Sequence, residues 1–96
     1  MPKFVLSPQA QKSLQNIHSF SIEHFGTQQT RNYLTALRDR MRHLASNPLE
    51  GQKRDEIKTG YYSYFEGSHT IYYRTSNSGI EVIDVLHQRM EPDNHL

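Results

Sequence analysis

At 96 residues the chain is long enough for one compact domain and too short for two. No apolar run approaches the roughly 20 residues that cross a bilayer, and the absence of Cys excludes disulfides and thiolate metal sites. A 10% aromatic content with 11 basic against 10 acidic residues is not the composition of a disordered chain, although mean hydropathy is only -0.82. The apolar stretch near the N-terminus is too short for a signal peptide, so a cytoplasmic protein is expected. Charge is unevenly spread. Residues 31–58 carry seven cations against four carboxylates, and residues 59–96 carry two against five. This dipolar pattern is most simply a set of solvated faces, with Arg31, Arg38, Arg40 and Arg42 on one helix, and it does not point to sequence-specific nucleic-acid binding.

In chain order, Lys3 to Leu6 predicts a first strand, stopped by Ser7-Pro8, where Ser7 is placed to cap a helix and Pro8 to occupy its first position. The spacing of Ala10, Leu14, Ile17 and Phe25, with Phe20 and Ile22 widening the stripe, predicts a helix from Pro8 to Phe25 closed by Gly26. Thr27 is placed to cap a second helix. Tyr33, Leu34, Leu37, Met41, Leu44 and Ala45 share one face of it, and Asn47-Pro48 ends it. The two form an antiparallel hairpin.

The loop from Asn47 to Gly60 is expected to hold a short strand around Glu56 to Lys58. Three strands follow, Tyr61 to Phe65, His69 to Thr75 and Ile80 to His87, each rich in aromatic and β-branched residues and separated by Gly- and Ser-containing turns. The near-continuous apolar run Val82, Ile83, Val85, Leu86 marks a strand covered on both sides, which needs a second neighbour. The spare strand is Lys3 to Leu6. The expectation is therefore an α+β fold of order β-α-α-β-β-β, an antiparallel meander with the N-terminal strand added and the helical hairpin packed on one face. Residues 1–87 make the domain and 88–96 an exposed tail.

No pair of the six His has i, i+4 spacing, so neither a metal nor a cofactor is expected. Ser occurs in no nucleophile elbow. The chemistry left open is RNA cleavage by general acid and base, which would require Arg74 and His87, on neighbouring strands, to meet at one sheet edge; the other reading is an Arg in a cross-strand pair and a His that ends its strand. Alternation sends Tyr61, Ser63 and Phe65 to one face and Tyr62 and Tyr64 to the other. Two Tyr are expected to face away from the hairpin, available to a partner.

Taken together, several pieces resemble the ParE toxins of the RelE/ParE toxin–antitoxin superfamily over nearly the whole chain. They are Ser7-Pro8-x-Ala10, Phe25-Gly26, Leu44-Ala45-x-Asn47-Pro48-x-x-Gly51, Gly60-Tyr61, Gly67-Ser68-His69-x-Ile71-x-Tyr73-Arg74 and Val85-Leu86-His87-x-Arg89-Met90. Two departures are Tyr62, where the family usually carries Arg, and Glu91-Pro92-Asp93, where it usually carries Asp. The resemblance implies a non-enzymatic toxin that poisons DNA gyrase and is neutralised by a ParD-like antitoxin. Target contacts then fall on His87, Arg89, Met90 and Glu91, and antitoxin contacts on Tyr62, Tyr64, Tyr72 and Arg74. The alternative on the same fold is a RelE-like ribosome-dependent mRNA endonuclease using Arg74 and His87, and a third reading is an inactive relative that only binds an antitoxin.

Overall fold

The computed structural model describes all 96 residues and contains β1 (Lys3–Leu6), α1 (Pro8–Ser46), β2 (Gln52–Lys53), β3 (Tyr62–Glu66), β4 (His69–Ser76) and β5 (Gly79–His87), then a 3-10 turn at Pro92–Asn94. A straight helix of α1's 39 residues would be about 58 Å long at 1.5 Å per residue. The longest dimension of the molecule is 37 Å, so α1 must fold back. It does so at Gly26, whose φ of 82° and ψ of 174° leave the helical region at a position where Gly carries no Cβ penalty. Two arms result, residues 8–25 and 27–46, as the sequence predicts. Ser7 caps the first, its Oγ accepting the Ala10 N–H at 3.0 Å with Pro8 in the first turn, and Asn47 ends the second. At the break the side chain that bonds is Thr30 and not Thr27: its Oγ1 donates to the Gly26 carbonyl at 2.8 Å. No helix is long and apolar enough to cross a membrane.

The sheet order is β1-β5-β4-β3-β2. β5 lies between β1, with which it is parallel, and β4, with which it is antiparallel, as expected for its apolar run. The short strand of the loop falls at Gln52–Lys53, paired with Ser63 and Tyr62, and not at Glu56 to Lys58. Ile57 and Lys58 N–H both donate to the Arg54 carbonyl, so that stretch closes a local turn whose groups are unavailable to a neighbouring strand.

One arm supplies Ala10 and Ile17 to the core, the other Leu37, Met41, Leu44 and Ala45, and the sheet supplies Ile71, Tyr73, Ile80, Val82 and Val85. Each large apolar side chain so buried contributes about 1.5–3 kcal/mol. Val82 and Val85 are three apart, yet both enter the same core. A bulge accounts for this, because Tyr73 faces Val82 while Tyr72 faces Asp84, leaving Ile83 as the extra residue.

Two expectations about burial are corrected. Phe20, Ile22 and Phe25 do not widen a covered stripe; they are exposed near the Gly26 break, where burial falls on Ser21 and Thr30 instead. Tyr62 and Tyr64 do not face away from the hairpin but pack against the core. Tyr62 pairs with Tyr73 and stacks on it at 5.5 Å, and the phase of β3 follows from that pairing, since a one-residue shift exchanges the two faces. On the opposite face Tyr61, Ser63 and Tyr72 are also buried. Arg54 covers Tyr72 with its guanidinium 5.7 Å from the ring and donates to Ser63 Oγ at 3.3 Å.

The β1–β5 pairing depends on Gly79, which has φ of 149° and where a Cβ would collide with the Lys3 carbonyl. At Gly26 a Cβ would meet open space, so only backbone strain opposes it. Gly79→Ala is expected to lower stability by about 2–4 kcal/mol and Gly26→Ala by about 1 kcal/mol in urea unfolding; equal effects would contradict the β1–β5 contact described.

Candidate functional site

Two motif pieces distant in sequence, Gly67-Ser68-His69 and Leu86-His87-x-Arg89-Met90, meet at one end of the sheet. His69 and His87 are the terminal pair of the β4–β5 register, with their rings 5.3 Å apart and edge to face. Beyond β5 the backbone stays attached. Gln88 N–H donates to the Ser68 carbonyl at 2.9 Å, Met90 N–H to the His87 carbonyl at 2.8 Å, and Arg89 N–H to His87 Nδ1 at 3.2 Å. From this base Arg89, Met90 and Glu91 project as exposed side chains.

The second arm of α1 supports the assembly from behind. Tyr33 Oη lies 2.6 Å from His69 Nδ1 and accepts the Ser68 N–H at 3.0 Å, while its ring fills the space beside Gly67. Burial raises the Tyr33 hydroxyl above its ordinary pKa, with an N–H from Ser68 partly opposing and the Glu66 charge adding to the rise. His69 is pushed down from 6.5 to about 4, chiefly by burial and secondly by His87. In the Nε2–H tautomer of neutral His69, Nδ1 accepts the Tyr33 hydroxyl proton, and the Glu66 carbonyl at 3.3 Å is a second acceptor for the same hydroxyl. Arg40 donates through Nε to Glu66 at 2.9 Å and places its guanidinium 4.6 Å from the centre of the Tyr64 ring. It is thus not part of a purely solvated face but ties the helix to the β3–β4 turn.

Arg74 and His87 do not converge. Arg74 stands opposite Glu81 on β5 and pairs with it at 2.7 Å, whereas His87 lies six positions further along the same strand, about 20 Å away at strand rise. The cross-strand ion pair and the strand-ending His are what the structure contains. Of the four residues expected to meet an antitoxin, Tyr72 is buried, Tyr62 and Tyr64 are half-buried against the core, and Arg74 is exposed. No three His, Cys, Asp or Glu side chains are grouped to hold a metal ion.

Tyr33 is the residue that sequence reasoning placed in a helix stripe and no further. The available signal was its hydroxyl, which a core position does not need and which requires a polar partner once buried. A second surface feature is a groove of about 440 Å³ between β1 and the two arms, lined by Phe4, Leu6, Leu14, Leu34, Leu37 and Met41, with Ser19, His18 and Arg38 among its more polar lining residues.

The site has a pH consequence. The folded chain holds His69 neutral down to about pH 4, while the unfolded chain takes up that proton below about 6.5, so the unfolded state binds more protons between these values. Stability is expected to be complete above pH 6.5 and to fall as pH drops towards 4. Urea unfolding at pH 7 and 4.5 should show a smaller loss in His69→Gln than in the unmodified protein; an identical slope would contradict the assignment.

The chain is similar to known proteins over nearly its whole length. A sequence profile described as "ParE toxin of type II toxin-antitoxin system, parDE" matches residues 4–92. The chain is 40% identical over 95 residues to Toxin ParE1 of Mycobacterium tuberculosis, an alignment covering 98% of this chain and 97% of that protein. It is 32% identical over 96 residues to Toxin ParE1 of Caulobacter vibrioides, covering 100% and 99% respectively. Among solved structures, a chain of the chromosomal ParDE TA system from P. aeruginosa superposes with a TM-score of 0.75 at 12% identity, covering 91% of this chain and 96% of that one. A chain of the YoeB-YefM complex from Staphylococcus aureus does so with a TM-score of 0.60 at 17% identity, covering 91% and 97%. At those identities the structural likeness concerns the fold alone.

Proposed function

The chain belongs to the ParE toxin family of type II toxin–antitoxin systems, and from that premise we propose that it acts in the cytoplasm by poisoning DNA gyrase and is held inactive by a ParD-like antitoxin. The observation that carries this reading is the joining of the Gly-Ser-His turn to the Leu-His-x-Arg-Met ending, which leaves Arg89, Met90 and Glu91 exposed on a supported backbone. A cation, a flexible thioether and a carboxylate presented together suit recognition of a protein surface. Residues 88–96 then act as a tail separable from the 1–87 domain. The general acid–base alternative loses its geometric basis, because Arg74 is committed to Glu81 and stands far from His87.

For the antitoxin, the apolar groove between β1 and the arms suits the apolar face of an amphipathic helix, and the two solved toxin structures superposed above come from a ParDE system and a YoeB-YefM complex. Exposed Arg74 on β4 is retained as a contact for an extended antitoxin segment. The buried Tyr72 is not.

Purified protein added to gyrase, supercoiled DNA and ATP is expected to yield linear cleaved DNA after denaturation. Deletion from Arg89 onward should abolish that product and leave antitoxin affinity within about twofold. Message cleavage in a translating lysate, with no gyrase-dependent product, would assign the chain to the nuclease class instead.

Ser19→Trp fills the groove from an exposed position and is expected to weaken antitoxin binding at least tenfold, about 1.4 kcal/mol or more. Gyrase cleavage by the same variant should be unchanged, as measured by titration calorimetry beside the cleavage assay. Undiminished antitoxin affinity would remove the groove from the interface.

A further inference from the structure

The tail leaves β5 where strand pairing stops. His69↔His87 is the last pair of the β4–β5 register, so no ladder holds Gln88, Arg89 or Met90 in place. What holds them is three backbone hydrogen bonds, accepted by the Ser68 carbonyl, the His87 carbonyl and His87 Nδ1. Two of these acceptors are themselves mobile in principle: the Ser68 carbonyl sits in an exposed turn, and the His87 ring has rotamer freedom.

Both are secured by one hydroxyl. Tyr33 Oη accepts the Ser68 N–H at 3.0 Å and meets His69 Nδ1 at 2.6 Å, and the His69 ring in turn stands edge to face against His87. The Tyr33 ring also bears on Gly67, whose φ of 63° lets the turn close without a Cβ that would come within 2.5 Å of the ring. Arg40 is seven positions along the same helix arm and grips Glu66 at the other side of the turn. The turn is therefore clamped at two points by one helix, and only the Tyr33 clamp leads on to the tail.

We propose that Tyr33 is a positioning residue for the toxic tail, setting through Ser68 and the His69–His87 ring pair the direction in which Arg89 and Met90 leave the domain. The proposal rests on the reading of the tail as the target-binding element. The Tyr33 hydroxyl also reaches the Glu66 carbonyl at 3.3 Å and so helps to hold the turn together with the Arg40–Glu66 pair and the β3–β4 ladder; what goes beyond that structural role is the link from Ser68 and His69 to the tail. Recognition by three adjacent side chains then depends on a pre-set backbone, since a loose tail must be ordered at the moment of binding.

The test is ¹⁵N relaxation of Gln88, Arg89 and Met90 in the unmodified full-length protein and in Tyr33→Phe, with His69→Phe as a second variant that keeps a ring against His87 and removes the Nδ1 acceptor. In the unmodified protein these amides should be as rigid as those of β5. In both variants their heteronuclear NOE should fall, β1–β5 amides should stay unchanged, and the double variant should be no looser than either single one. Gyrase cleavage should drop at least fivefold while antitoxin affinity stays within twofold. A flexible tail in the unmodified protein, an unaltered tail in a folded variant, or full cleavage activity with a loosened tail would each overturn the proposal. Absence of cleavage by the unmodified protein would defeat the gyrase reading alone, and the relaxation data would still decide whether Tyr33 directs the tail.

Discussion

The residues of β1, Lys3–Leu6, lie parallel to Gly79–Val82, and that pairing decides where every other element can go. It joins the two ends of the domain, which antiparallel hairpins alone would leave apart. It also starts α1 at a defined point. Ser7 N–H donates to the Val82 carbonyl at 3.0 Å, its Oγ donates to the Ile83 carbonyl at 2.6 Å, and the same Oγ accepts from Ala10. One serine thus terminates a strand, caps a helix and bonds to the bulge of the strand beside it. The first arm is held over the sheet again two turns later, where Ser13 Oγ donates to the buried Asp84 carboxylate. Asp84 Oδ1 also accepts the Val85 N–H, which uses the carboxylate to satisfy a backbone donor beside the irregular register, while Oδ2 has no partner.

A chain that is only 34% hydrophobic stabilises itself by giving its aromatic residues more than one task. Tyr73 is fully buried, stacks with Tyr62 and uses its hydroxyl to donate to the Pro48 carbonyl and to accept the Gly51 N–H, fastening the connection after α1. Tyr33 does the same for the β3–β4 turn. Arg40 over Tyr64 and Arg54 over Tyr72 cover ring faces with guanidinium groups that keep ion pairs to Glu66 and Glu56. Such arrangements bury aromatic area without leaving the Tyr33 and Tyr73 hydroxyls unsatisfied, while Val5 and Phe65 stay exposed on the sheet.

Much of this was legible beforehand, and the parts that were not share a cause. The caps at Ser7 and Asn47, the break at Gly26 and the three long strands depend on neighbouring residues and local backbone sterics, so they followed from composition and spacing. The face on which Tyr62 and Tyr64 lie did not, because alternation separates the two sets of side chains without saying which set the helices cover. That was decided by the Tyr62–Tyr73 pair and by Arg54 folding over the other face. His87, Arg89, Met90 and Glu91 are candidates that the resemblance supplies, whereas the support from Tyr33 and Arg40 crosses from α1 to a turn more than 25 residues away.

Sequence alone determined the fold class, the family and the order of the long elements, since these are written in local propensity and in motifs along the chain. Tertiary structure alone decided that Arg74 and His87 stand at opposite ends of the β4–β5 pair, that the tyrosine rings of the sheet are buried or half-buried, and that a helix hydroxyl reaches the base of the tail. Those outcomes depend on strand register and on the bulge at Ile83, and register is a relation between segments that no single segment carries.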